Sequence, residues 1–211
     1  MNSVQKIIKF SVELNRRPSV YPAQVRPLCG WRNILWRLGV IGSSPERYHG
    51  LGYGNISIRH PDEPSSFIIS GSQTGAAAEL GADDFVVVDD YEVAANWVRA
   101  RGLINPSSEA LTHAQVYHCL PWAGAVIHGH CPELWRHGDE LGLPSTGPTA
   151  DYGSVALAEE IAELCGRLPE GSAGLFTMAG HEDGVVSFGR DISAAGLVLL
   201  DALARAYGLP R

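Results

Sequence analysis

The chain has 211 residues, 45% hydrophobic and 18% charged, the composition of a soluble globular protein with material for one sizeable core. Its formal net charge of −7, from 16 Lys and Arg against 23 Asp and Glu, argues against a nucleic-acid surface or an anionic-membrane surface. An anionic substrate would have to be attracted locally, by a metal, a helix N-terminus or a single arginine.

Met1 to Glu13 has no continuous apolar run or small-residue cleavage site, so no signal peptide is read there. No apolar run approaches the length of a membrane span. Apolar residues at helical spacing predict a first helix over Val4 to Asn15. Pro18 and Pro22 make Arg16 to Ala23 a loop, and a second helix follows from Gln24 to Leu38. The glycine-rich stretch Gly50 to Asn55 leads into an alternating strand, Ile56 to Arg59. Phe67 to Ser70 and Phe85 to Val88 read as further strands, with Glu92 to Val98 as a fourth. Ser108 to Cys119 is a helix, Ala125 to Cys131 carries a buried strand, and Val155 to Leu168 is again helical. Gly174 to Met178 and Gly184 to Phe188 are two strands joined by a polar turn, and Ile192 to Tyr207 is an apolar last helix with Asp191 as N-cap. With no internal repeat or linker, these elements predict one domain over 1–211: a central, mostly antiparallel sheet covered by helices. The four cysteines, Cys29, Cys119, Cys131 and Cys165, form no CxxC and read as reduced, mostly buried thiols of a cytoplasmic protein.

The sharpest chemical signal is His128-Gly129-His130. Side chains alternate along a strand, so the two imidazoles share a face roughly 7 Å apart, a spacing that suits one transition metal. The plainer reading is a pair of hydrogen-bonded core histidines. A third imidazole would complete a site, and His181 and His113 are close rivals for it, ahead of His118, His137 and His60. Glu109 falls in the first turn of the helix that opens at Pro106-Ser107-Ser108, where Ser107 or Ser108 can cap and free N–H groups attract anions. Gly54-Asn55 and Thr74-Gly75 are loops of the kind that cradle a phosphate or carboxylate. No Walker A pattern, dinucleotide fingerprint or Gly-x-Ser-x-Gly elbow is present.

Taken in order, Gly54-Asn55-Ile56-Ser57, Ser70-Gly71 with Thr74-Gly75, Pro106-Ser107-Ser108-Glu109, His128-Gly129-His130 and the late His181 resemble the class II aldolase and adducin head-domain family, over roughly residues 30 to 205. The resemblance implies a three-layer α/β/α fold with a central antiparallel sheet. It also implies a divalent metal, usually zinc, on His128, His130 and His181, which decides against His113. Glu109 matches the family's acid/base glutamate, and Asn55, Thr74, Gly75, Ser107 and Ser108 match positions that hold the substrate's phosphate. The resemblance implies a homotetramer with a small-molecule substrate; the cysteine usage points to the cytoplasm, and the charge balance to no nucleic-acid or membrane partner. The implied activity is a metal-dependent lyase on a small phosphorylated sugar or carbonyl compound, through a metal-stabilised enolate and aldol cleavage. A dehydratase or epimerase on the same scaffold, or a non-enzymatic adducin-like interaction domain, are the alternatives.

Three departures accompany the resemblance. Leu134 to Ala150 contains no tyrosine, where the family's aldolases place a proton donor; Tyr152 is near but fits an aromatic structural position better. The late histidine is followed by Glu182 and Asp183 before Gly184, which adds negative charge. The Ser70 to Gly75 loop is long, and no lysine lies in these loops.

Overall fold

A computed structural model describes residues 8–150 and 154–210. The elements, in chain order, are β1 (Ser11–Arg16), α1 (Pro22–Arg37), β2 (Gly42–Ser43), β3 (Gly52–Tyr53), β4 (Asn55–Arg59), β5 (Phe67–Ser70), β6 (Phe85–Glu92), β7 (Trp97–Gly102), α2 (Ala110–Cys119), β8 (Ala125–His130), α3 (Pro132–Arg136), β9 (Ser145–Thr146), α4 (Val155–Gly166), β10 (Gly174–Met178), β11 (Gly184–Gly189) and α5 (Ile192–Tyr207).

Nine strands form one sheet in the order β1-β7-β6-β5-β4-β8-β11-β10-β9. Only the outermost pairs, β1 with β7 and β9 with β10, are parallel; every pairing between them is antiparallel. The central strand β8 is buried along its whole length, which fits the unbroken apolar run Ala125-Val126-Ile127. Side chains from one face of the sheet, among them Val126, Val186 and Phe188, pack on Ala114 of α2 and Leu157 and Ile161 of α4. From the other face, Ile56, Ile127 and Val185 meet Leu28 and Leu35 of α1 and Leu199 and Leu203 of α5. The result is a three-layer α/β/α arrangement, as expected. All four cysteines are free; Cys131 and Cys165 are buried, whereas Cys29 and Cys119 are only half-buried. Among the described residues no helix is long and apolar enough to cross a membrane.

Three expectations need correction. The predicted helix Val4 to Asn15 is, where described, the edge strand β1; its residues 4–7 lie outside the described residues, as does Tyr152. Val12 and Leu14 alternate with the exposed Ser11 and Glu13, and pairing to β7 captures that two-residue period in preference to a helix. The strand predicted over Glu92 to Val98 is a hairpin turn: β6 runs on to Glu92, Asn96 turns with φ of 52°, and β7 starts at Trp97. Pro22 and Ala23 belong to α1, because a proline at the first helical position forfeits no hydrogen bond.

Candidate metal centre

The sheet register assembles the centre. On β8, His128 lies opposite Asn55 of β4 and Val186 of β11, and His130 lies opposite Gly184 of β11. The turn between β10 and β11 therefore ends at His130 and carries His181 back over it. Two glycines make room for that turn. A Cβ on Gly184 would sit 2.6 Å from the His181 ring, and one on Gly180 would sit 2.6 Å from the Ala150 carbonyl. Between the histidines, a Cβ on Gly129 would approach Val40 Cγ1 to 2.4 Å, so only glycine lets the 38–41 loop close beneath β8 and accept the His130 N–H at Val40 O, 2.8 Å away.

One ligand nitrogen from each of His128, His130 and His181 falls within 4.8 Å of the others. The His130 and His181 Nε2 atoms are 3.0 Å apart. Two nitrogens on one tetrahedral zinc, each about 2.0–2.1 Å from it, lie about 3.3 Å apart, so the pair needs almost no adjustment to share a cation. His128 Nδ1 is 3.1 Å from Val185 O, and a carbonyl only accepts. Nδ1 therefore carries the proton and Nε2 keeps its lone pair, the arrangement a ligating histidine requires. Burial pushes the His128 pKa down to about 4 and that of His130 well below its usual value, and each is pushed further by the neighbouring imidazoles. Both rings are neutral at pH 7, which is the ligating form. The donor set, its tautomer and its protonation fit a divalent cation.

The rival His113 is settled differently. It is fully buried on α2, its Nδ1 lies 2.7 Å from Ser57 Oγ, and Ser57 Oγ lies 2.8 Å from the Tyr117 hydroxyl. It belongs to a polar chain inside the α2 layer and is not one of the three clustered histidines.

The three histidines line a cavity of about 330 Å³ together with Asn55, Thr74, Gly75, Ser107, Ser108 and Glu109, whereas His60, His113, His118 and His137 do not line it. Glu109 is buried at the start of α2, where it occupies the N-cap position that the sequence assigned to a serine. Thr112 Oγ1 donates to its Oε2 at 2.6 Å, and the Ser107 hydroxyl accepts its backbone N–H at 3.3 Å. Asn55 Oδ1 and His130 Nδ1 are buried with no hydrogen-bond partner among the described residues. A buried polar atom left unpaired is costly, so Asn55 Oδ1 marks a place where a ligand or water is wanted. Gly75 is held by close contact, since a Cβ there would lie 2.2 Å from Gly42 O.

Sequence reasoning missed the aromatic wall. The Tyr48 ring stands edge-on to His130 at 4.4 Å, and its hydroxyl donates to Asp183 Oδ2 at 2.5 Å while accepting from Arg47 at 2.7 Å. Arg47 also stacks on Tyr53. Burial and Asp183 push the Tyr48 pKa up. Tyr48, His49, Gln73 and Asp183 all have positive φ although none is glycine; the first three line the cavity and the fourth grips Tyr48. Such backbone carries no sequence signature beyond the nearby glycines, and Asp183 read as one of two extra acids beside a ligand.

Residues 46–136 match the family described as the class II aldolase and adducin N-terminal domain. The chain is 36% identical over 100 residues to a methylthioribulose-1-phosphate dehydratase of Granulibacter bethesdensis, covering 45% of this chain and 43% of that protein. It is 29% identical over 164 residues to another from Citrobacter koseri, covering 67% and 76%. The first alignment thus spans less than half the length of the relative. Among solved structures, an L-fuculose 1-phosphate aldolase superposes with a TM-score of 0.64 at 18% identity over 91% of each chain, a likeness of fold.

Proposed function

We propose that this chain, which over residues 46–136 matches the class II aldolase and adducin N-terminal domain family, is a metal-dependent lyase acting on a small phosphorylated sugar. The observation that carries the reading is the convergence of His128, His130 and His181 in a cavity that also holds the buried carboxylate Glu109. The three imidazoles would hold the cation, and zinc suits a neutral three-nitrogen set. When bound, it supplies Lewis-acid polarisation of a substrate carbonyl. Glu109 moves the proton on the neighbouring carbon; Thr112 fixes Oε2 and leaves Oε1 for the transfer. Asn55, Thr74, Gly75, Ser107 and Ser108 hold the phosphate end.

Loss of water is favoured over carbon–carbon cleavage. The sequence relatives are named as dehydratases, and Leu134 to Ala150 lacks the tyrosine that the resemblance assigns to aldolases. Aldol cleavage is the second reading, supported by Tyr48 beside His130 in the cavity. A cytoplasmic homotetramer with one domain over 1–211 accompanies both, and light scattering tests the assembly. The deciding experiment incubates zinc-loaded protein with a panel of ketose 1-phosphates, methylthioribulose 1-phosphate included, and follows products by NMR. A dehydrated ketose phosphate is expected; release of an aldehyde selects the aldolase reading. Glu109→Gln should keep the metal and lose about 10²–10⁴ in turnover. Failure to take up metal or to turn over any of the panel would leave the interaction-domain alternative.

A further inference from the structure

The cavity has an electrostatic problem if its substrate is an anion. Among the described residues its lining contains no lysine or arginine and includes the carboxylates Glu109 and Glu182, on a chain of net charge −7. Arg47 lies near, but its guanidinium is paired with Asp183 at 3.5 Å. Arg32 is different. It stands in the middle of α1, is only 1% exposed, and donates from Nη1 to Ala78 O at 2.9 Å and from Nη2 to Thr74 O at 3.0 Å and Gly75 O at 3.2 Å. All three acceptors are neutral carbonyls. No carboxylate of the described residues lies within 4.0 Å of it; Asp84, which acts on it from farther away, gives its Oδ2 to Gly81 N–H. Arginine does not shed its proton in a protein, so a full charge stays buried there with no carboxylate of the described residues in ion-pair contact.

We propose that Arg32 is a positioning residue for the anionic group of the substrate: its guanidinium, in contact only with neutral carbonyls behind the Thr74–Gly75 wall, supplies the positive field that the cavity lining lacks. The inference rests on the reading of the substrate as phosphorylated. The loop geometry supports it. In a planar trans peptide the N–H points opposite to the C=O. With the Thr74 and Gly75 carbonyls turned onto Arg32, the N–H groups of Gly75 and Ala76 are directed away from it, so peptide dipoles and guanidinium present the same sign. Trp36 Nε1 donates to Gly75 O at 3.2 Å and secures the same peptide. A buried charge held only by neutral carbonyls is expensive, and an anion across the wall would offset that cost.

The probe is inorganic phosphate, titrated by calorimetry into zinc-loaded protein and into the same protein after chelation. Arg32→Gln should weaken phosphate about tenfold in both states, the effect of one charge acting across the thickness of a loop. Arg32→Lys, which keeps the charge but cannot reproduce the forked bonds, should stay within about threefold of the parent. Should lysine prove as poor as glutamine, Arg32 merely holds the loop and the assignment is overturned; so too if glutamine binds phosphate like the parent. Asp84→Asn leaves Arg32 in place and covers the case in which Arg32→Gln does not fold. It should tighten phosphate by about twofold, and no change there counts against the proposal. If the parent protein takes up zinc yet binds no phosphate, this inference and the phosphorylated substrate fall together, while the metal-lyase reading survives on its own assay.

Discussion

Removing the metal should make the fold acid-sensitive through His128, and the size of the effect follows from its burial. The ring is held neutral, with its pKa lowered from 6.5 to about 4. A histidine whose folded pKa is depressed keeps its full contribution above the unfolded value. That contribution is lost as pH falls from 6.5 towards 4, because the unfolded chain binds the proton first. Between pH 7 and pH 5 the loss from this one group is about 2 kcal/mol, rising to about 3 kcal/mol below pH 4. His130 and His113 are shifted in the same direction by burial and add to it. The assay is urea unfolding in the presence of a chelator at pH 7 and pH 5, run on the parent and on His128→Asn, whose amide can replace Nδ1 as donor to Val185 O. Carboxylates elsewhere titrate equally in both proteins and cancel in the comparison. The parent should lose about 2 kcal/mol more than the variant over this interval. Equal losses would show that His128 is not held neutral by the fold and would refute the reasoning.

His181→Ala should reduce bound zinc from one equivalent towards none while leaving the urea midpoint of chelated protein nearly unchanged, as elemental analysis and unfolding curves would show; full retention of metal would remove His181 from the ligand set. Gly75→Ala should lower stability by more than about 2 kcal/mol in urea unfolding, because its Cβ would lie 2.2 Å from Gly42 O and backbone on both sides must move. Tyr48→Phe deletes the hydroxyl that joins Asp183 to Arg47 and should cost about 1 kcal/mol of stability and raise KM more than it lowers kcat, measured on whichever ketose phosphate the protein turns over.

The sheet, its helical covers and the histidine strand were legible because their hydrophobic periods are unbroken: β8 and the last helix run within the predicted bounds, and Asp191 does accept the Ala194 N–H as N-cap. Edge elements were not. β1 depends on a partner nearly ninety positions later, Ser11 facing Trp97, and no local window contains that information. The nine residues named for the cavity do converge, since each sits on a strand, helix start or glycine turn whose register is locally written. Choosing His181 over His113 needed either the family resemblance or the structure, because sequence spacing alone places His113 one turn from Glu109 just as credibly. Arg32 and Tyr48 escaped notice for a different reason. One is mid-helix and the other sits in an irregular loop, and their importance arises from what folding packs against them.

The left-handed backbone at Tyr48, His49, Gln73 and Asp183 has a consequence for engineering. At Tyr48 and Asp183 glycine would also break their bonds to each other and to Arg47, so nothing is gained there. At His49 and Gln73 glycine would relieve steric strain, and a search for hardier variants by random mutagenesis would be drawn to them. Each such gain would loosen a wall of the cavity. Robustness and catalytic competence should therefore trade against each other at these two positions.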